Sequence, residues 1–410
     1  MGMREMRDAV IVSTARSANG RANKGGFCDV RPDDLLMSMV SEALSRVPVI
    51  DPKEIEDVIV GCGSPAGQQG NNIARVTAVA LGLDRVPGTT VNRYCASGVQ
   101  SIRMAVHAIR SGEGDAFVAA GVESVSAYRY GDADAFPTAA NPLFDLAQQE
   151  TARRAQQNDP WVDPRAHRRL PDVYISMGQT AENVASRFGI TRRELDEYAY
   201  RSQLRARLAA ERGFWKGDIA PFMRSDGEVI DTDESARPMT TLDGLAELKP
   251  VFRDDGLLTA GNSCPLNDGA AAAVVMSSER ARELGLAPLA RVVSTAVSAL
   301  SPEIMGMGPV EATKRALGRA GLAIADIDQF EINEAFASQV IASARELGIH
   351  DDRLNVNGGA IALGHPFGAT GVRITSTLIR SLQERDDEFG VVTMCVAGGM
   401  GAAMILQRLD

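Results

Sequence analysis

Four residues in this sequence could together supply a nucleophile, an imidazole, a second thiol and an amide, and each stands in a loop at the end of a strand-like run. Cys95 follows the strand-like Thr89–Asn92 and precedes Ala96-Ser-Gly98, with a helical pattern from Val99 to Arg110. A thiol at the start of a helix meets the positive end of the helix dipole, which favours the nucleophilic thiolate. The alternative is a cysteine that merely packs. His365 lies in Asn357-Gly-Gly-Ala-Ile-Ala-Leu-Gly-His-Pro-Phe-Gly-Ala-Thr-Gly371. Glycine at such density lets backbone pass close to a ligand, and an imidazole between glycine and proline is held on a stiff turn. His107, His167 and His350 lack such surroundings and read as packing or surface residues. Cys395 ends the apolar Val391–Met394 and opens into Val396-Ala-Gly-Gly-Met-Gly401, whose N–H groups can donate to a developing oxyanion. The pair Gly399 and Gly401 is no dinucleotide fingerprint, because too little chain follows for a βαβ unit. Asn333-Glu-Ala-Phe336 ends a further short strand; Asn333 is either a helix N-cap or a site amide.

These loops need elements to hold them, and the elements come in two sets. Arg31–Gly63 reads as helix, acidic turn and buried strand, and Glu311–Phe336 repeats that order. Strand, small-residue turn and helix also recur, at Thr89–Arg110 and at Asn355–Leu382, where Asn355-Val-Asn357 is the expected strand. Alternating strands and helices imply sheets covered by helices. Between the halves, residues 123–250 are polar and arginine-rich, with prolines at 137, 142, 160, 164 and 171. Helices are expected there over Gly178–Phe188 and Arg192–Arg212, the second opened by a Thr191/Glu194 capping box. That region is either a solvated insertion or a cap that holds an anionic ligand.

The chain has 410 residues, 45% hydrophobic and 23% charged, enough for two or three domains. A net charge of −10 argues against a nucleic-acid partner, whose phosphates demand a basic stripe, but leaves room for an anionic small molecule held by a local group of arginines. No run reaches the ~20 apolar residues of a membrane span. The opening Met1–Arg7 mixes acid and base and leads directly into Asp8–Ser13, leaving no room for a signal peptide, and Met6 breaks a myristoylation signal. The C-terminal Gln407-Arg-Leu-Asp410 matches no targeting signal. Five cysteines (28, 62, 95, 264 and 395), an odd and widely spaced set, point to reduced thiols in a cytoplasmic protein and to no metal site.

Val91-Asn-Arg-Tyr-Cys-Ala-Ser-Gly98 resembles the nucleophile motif of the thiolase family. Asn333–Phe336, Asn355–Pro366 and Cys395–Gly401 resemble its other active-site blocks, in the family's order. Gly121–Ser124, Met177–Asn183, Thr259–Asn262 and Leu266–Ala270 extend the similarity over nearly the whole chain. The resemblance implies a duplicated α/β fold in five layers, αβαβα, with an inserted cap (loop) domain. Its divisions would be 1–122 with 251–275 for the first half, 123–250 for the coenzyme A cap, and 276–410 for the second half. It also implies ping-pong acyl transfer: Cys95 carries the acyl group, His365 activates it, Cys395 moves the α-proton, and Asn333 holds a water. The backbone N–H groups of Cys95 and Ala397 would receive the oxyanion. Coenzyme A and acetyl-CoA would be substrates rather than resident cofactors, and the protein a homodimer or homotetramer. Arg237 matches the adenine-packing position. Cys264 would meet the pantetheine arm, Ser263 would belong to the substrate and coenzyme A site, and Met177, Leu248, Phe252 and Phe336 would wall the pocket.

The sequence departs from the family at several places. Cys264 replaces a usual serine, Ala397 a frequent glycine, and Ser176 a histidine common in acetoacetyl-CoA-forming members. The stretch 128–172 is longer than in compact members. The last two differences favour acyl chains longer than acetyl, in β-oxidation or side-chain degradation. A β-ketoacyl synthase would not need Cys395, and a Cys-His-Asn hydrolase would not spread its motifs over both halves. A lipid carrier that has lost its chemistry would not retain all four residues.

Overall fold

The structure, a computed structural model, describes residues 7–128 and 140–409. Met1–Met6, Pro137 and Asp410, on which some expectations about the termini and the cap drew, lie outside the described residues. The first part runs β1 (Ala9–Arg16), β2 (Gly20–Arg21), α1 (Pro32–Ser45), β3 (Asp57–Cys62), α2 (Ile73–Ala80), β4 (Gly88–Val91), α3 (Ser97–Ser111) and β5 (Ala116–Ser124). The cap follows with α4 (Asp145–Gln157), α5 (Met177–Arg187), α6 (Arg192–Glu211), β6 (Phe222–Met223), β7 (Val229–Ile230) and α7 (Leu242–Ala246). Next come β8 (Asn267–Ser277), α8 (Ser278–Glu283), β9 (Ala290–Ala299), α9 (Gly308–Ala320) and β10 (Gln329–Ile332). The chain closes with α10 (Ala337–Leu347), α11 (Ala360–Leu363), α12 (Phe367–Arg385), β11 (Phe389–Val396) and β12 (Met400–Arg408).

Strand pairing shows the duplication. The first half runs β1-β8-β5-β3-β4, the first two pairings antiparallel and the next two parallel. The second runs β9-β12-β11-β10 with the same signs in the same order. Among the described residues, the strand pairs Val10–Arg291 and Ile11–Ala290 join the two sets. The fifth strand of the second half, expected at Asn355–Asn357, is reduced to a single parallel bridge between Phe330 and Leu354. Asn355 adopts φ +44°, outside the extended region, and its side chain instead bonds both backbone groups of Ile332 (2.9 Å each).

Period-two alternation sorts the strand residues into layers. Ala270, Ala272, Val274 and Met276 of β8 face an outer core under α1 and α2, while Ala271, Ala273 and Val275 face a central core. On β12, Ala402, Met404 and Leu406 face that same central core, and Ala403 and Ile405 face the opposite outer one. The central core is filled by α3 (Ile102, Val106, Ile109) and α12 (Val372, Leu378, Leu382). Three cores separated by two sheets give the five layers αβαβα. Both cap helices form within a residue of their expected bounds. The capping box of α6 is complete: Glu194 N–H donates to Thr191 Oγ1 at 3.3 Å and Thr191 N–H to Glu194 Oε2 at 2.7 Å. Arg16, fully buried on β1, clamps the cap through Asp218 (2.5 Å) and Asp233 (2.8 Å).

The central helices meet at their N-termini through glycines. A side chain on Gly371 of α12 would overlap the backbone nitrogen of Val99 on α3, and one on Gly98 would sit 2.8 Å from the Gly368 carbonyl. Gly61 and Gly121 likewise let β3 and β5 run against Ser97 and Gly368. Gly371→Ala should therefore cost about 2–3 kcal/mol in urea unfolding, because backbone rather than a flexible side chain must yield. An unchanged unfolding midpoint would show that the crossing is looser than drawn.

Candidate active site

Cys95 sits in the one-turn link between β4 and α3, half-buried. The link turns sharply because Tyr94 takes φ +43°. Three bonds hold it there. Tyr94 N–H donates to Asn92 Oδ1 (2.7 Å), Arg93 N–H to Ser97 Oγ (2.8 Å), and the Ser97 hydroxyl to Tyr94 O (2.6 Å). The thiol-bearing turn is thus built by its neighbours, with the first turn of α3 directly after it.

His365 occupies the equivalent place before α12 and is buried. Gly364, at φ +105°, has no room for a side chain beside Asn267, whose Oδ1 accepts the His365 N–H (3.0 Å). Gly358 at φ +78° lets the same loop press on the backbone of α6 at Ser202. Thr370, one turn on, donates its hydroxyl proton to Pro366 O (2.8 Å) and stands 2.7 Å from His365 Nδ1. That hydroxyl can then only accept from the ring, so this network assigns the imidazole proton to Nδ1 and leaves a lone pair on Nε2. Asn333 Nδ2 stands 3.2 Å from Nε2. Asn333 is not the cap of α10, which starts after Phe336. Its N–H continues the β10–β11 ladder to Thr393 O (3.0 Å), its carbonyl accepts from Gln339 Nε2 (2.6 Å), and its buried Oδ1 is unpaired.

Cys395 is the next-to-last residue of β11 and is buried. It faces the outer core that also holds Phe336, Met177, Leu248 and Phe252. Phe252 meets Phe336 edge to face at 5.8 Å, and Ser263 bridges to Phe336. Cys264 is half-buried, its N–H on Ala335 O (3.0 Å). Leu266, two residues on, bridges to His365. The segment 263–266 therefore spans from the Asn333 loop to the His365 loop. Ala397 lies in the three-residue turn between β11 and β12, where Gly398 and Gly399 both take φ +76°. Arg237 stands apart at the surface, its N–H on Gln203 Oε1 (2.8 Å). No group of metal-ligating side chains occurs among the described residues.

Burial sets the charge states. It lowers His365 to about 3, with the cation of buried Arg373 adding to the effect. Burial raises Cys264 above the ordinary thiol range, and the negative charge of Cys95 raises it further. Cys395 is pushed up by burial, then by the charges of Cys95 and Cys264. Thr370, Asn267, Gln339 and Arg373 hold the site and were not singled out from sequence. The sign that could have found them is a polar residue inside an otherwise apolar, glycine-lined segment.

Comparison with known families follows this geometry. Residues 9–279 match the model of the thiolase N-terminal domain, and residues 286–408 that of the thiolase C-terminal domain. The chain belongs to the thiolase family. It is therefore an acyltransferase. It is 44% identical to a 3-ketoacyl-CoA thiolase of Bacillus subtilis (strain 168), over 98% of this chain and all of that one. It is 40% identical, with the same coverage, to a 3-oxoadipyl-CoA/3-oxo-5,6-dehydrosuberyl-CoA thiolase of Escherichia coli (strain K12). A crystal structure of the Bacillus anthracis acetyl-CoA acetyltransferase superposes with a TM-score of 0.85 at 37% identity, covering 98% of this chain and 99% of the other.

The depressed value of His365 has a measurable sign. The folded protein keeps the imidazole neutral down to about pH 3, whereas the unfolded chain takes up the proton near 6.5. Stability is thus lost as pH falls from about 6.5 toward 3, and the His365 ring protons should hold their neutral chemical shift in NMR from pH 8 to pH 5. A His365 resonance titrating near 6.5 would contradict the burial described here.

Proposed function

We propose that the chain catalyses the reversible thiolysis of 3-ketoacyl-CoA, with Cys95 as acyl carrier. The observation that carries this reading is a neutral imidazole fixed between Thr370 and Asn333, before the helix that crosses the Cys95 helix. In the thiolytic direction the Cys95 proton passes to Nε2 of His365 and the thiolate attacks the 3-keto carbon. The N–H groups of Cys95 and Ala397 receive the oxyanion. Cleavage of the C2–C3 bond leaves an acyl-Cys95 and the enolate of acetyl-CoA, and the Cys395 thiol protonates that enolate. Protonated His365, with a water held by Asn333, supports the enolate oxygen. Free coenzyme A then attacks the acyl group through its thiol sulfur, its proton passing to the Cys395 thiolate, and Cys95 leaves as a thiol with the proton held by His365.

The raised Cys395 suits this order. Burial keeps it protonated in the resting site, ready to give a proton, and a thiolate formed at Cys95 acts in the same direction. Acylation of Cys95 removes one negative charge that would oppose a second thiolate, which eases the loss of the Cys395 proton in condensation.

Arg237, Ser263 and Cys264 are assigned to coenzyme A, and Met177, Leu248, Phe252 and Phe336 to the acyl wall. Degradative thiolysis of chains longer than acetyl, as in β-oxidation, is favoured over acetoacetyl-CoA formation by Ser176 and by the long 128–172 stretch. The names of the relatives support this direction. We place the protein in the cytoplasm as a homodimer or homotetramer, without a resident cofactor, and divide it at 122/123, 250/251 and 275/276. β5 and β8 each run two residues past the nearest of these divisions.

Thiolysis of 3-ketoacyl-CoA esters of rising chain length tests the reading. Cys95→Ser should lose about 10³-fold or more in kcat. Cys395→Ala should still acylate Cys95 from acyl-CoA, visible by mass spectrometry, yet lose thiolysis and condensation. A folded protein that turns over no ester would leave the lipid-carrier reading.

A further inference from the structure

The cap holds a second cavity, of about 790 Å³, between α4, the stretch 161–170, Asn183, Arg253 and Glu303. Its wall joins apolar groups, Trp161 and the 80% exposed Leu146 among them, to charged and polar ones. Its charges do not cancel. Glu150 is taken by Arg153 (2.9 Å) and Arg154 (2.8 Å). Arg168 and Arg169 make no ion pair among the described residues, nor does Arg253, which is only 7% exposed. Arg253 spends Nε on Gln179 Oε1 (2.8 Å) and Nη2 on Asn183 Oδ1 (2.7 Å), both neutral. The nearby Glu182 is held by the N–H groups of Leu257 and Leu258. On the other side of the balance, Glu303 is satisfied by Trp161 Nε1 (2.6 Å) and Asp172 N–H (3.0 Å), and burial raises it toward its neutral form. Five arginines therefore stand against two engaged acids, Glu150 and Glu303, around a hollow whose size falls in the range of small-molecule sites.

We propose that this cavity binds a free amphipathic carboxylate, such as a medium-chain fatty acid anion. The carboxylate pairs with the guanidinium groups and the alkyl chain lies along Trp161 and Leu146. The site is distinct from the acyl pocket, because successive residues look to opposite sides: Phe252 packs on Phe336, while Arg253 turns to Gln179 and Asn183. Gln179 also donates to Phe252 O (2.6 Å), so an occupant that draws on Arg253 acts on the wall of the acyl pocket. The proposal holds whichever acyl chain Cys95 accepts.

Trp161 is one of two tryptophans, so its emission reports occupancy. Octanoate should change that emission saturably, with saturating coenzyme A present, and the change should vanish in Trp161→Phe. Octan-1-ol and inorganic phosphate should bind at least tenfold more weakly, and the surface double variant Arg168→Ala/Arg169→Ala should weaken octanoate about tenfold. No saturable response to octanoate, equal binding of the alcohol, or displacement by coenzyme A would each overturn the proposal. The last would assign the signal to the catalytic tunnel.

Discussion

Everything chemical in this protein hangs on the distance between two helix N-termini. The helices α3 and α12 come from different halves, yet Gly98, Gly368 and Gly371 let their backbones touch. Each helix is preceded by a turn that bears a side chain assigned above to the proposed chemistry, Cys95 in one case and His365 in the other. The duplicated fold thus delivers two chemically different groups to equivalent ends of paired elements. Two sheets, whose inner faces are largely alanine and valine, supply the rigid walls between which this crossing is held.

Most of this architecture was legible from the sequence because it rests on local signals. Alternation marked the buried strands, the Thr191/Glu194 box marked α6, and the repeated order of helix, acidic turn and strand marked the duplication. The failure at Asn355–Asn357 is instructive. The apolar–polar pattern there fits a strand, but a single left-handed asparagine diverts the chain, and its reward is a tertiary bond to Ile332 that no window of sequence displays.

The site was legible to a lesser depth. Thiol, imidazole and amide could be named because cysteine and histidine in glycine-rich turns are chemically conspicuous. Their supports could not. Thr370 and Asn267 matter through single hydrogen bonds to His365, one on the ring and one on the backbone, and threonine and asparagine occur too widely to stand out. The sequence also gave no warning that burial would carry Cys395 so far above the ordinary thiol range. That shift depends on how many neighbours close around the sulfur, which is a property of the assembled layers.

Glu334 carries a different lesson. Its buried carboxylate accepts from Tyr198 (2.8 Å) and Ser202 (2.6 Å) on the cap, and from Asn355 (2.9 Å) and the Ile361 N–H (3.1 Å) on the glycine loop. Lifting α6 away would strand that charge among groups too few to satisfy it, at a cost of several kcal/mol. The cap is therefore no hinged door. It is a fixed wall, and whatever reaches the glycine loop must thread into a standing slot rather than be clasped by a closing one. A standing slot sorts what enters by shape, before any bond is made or broken.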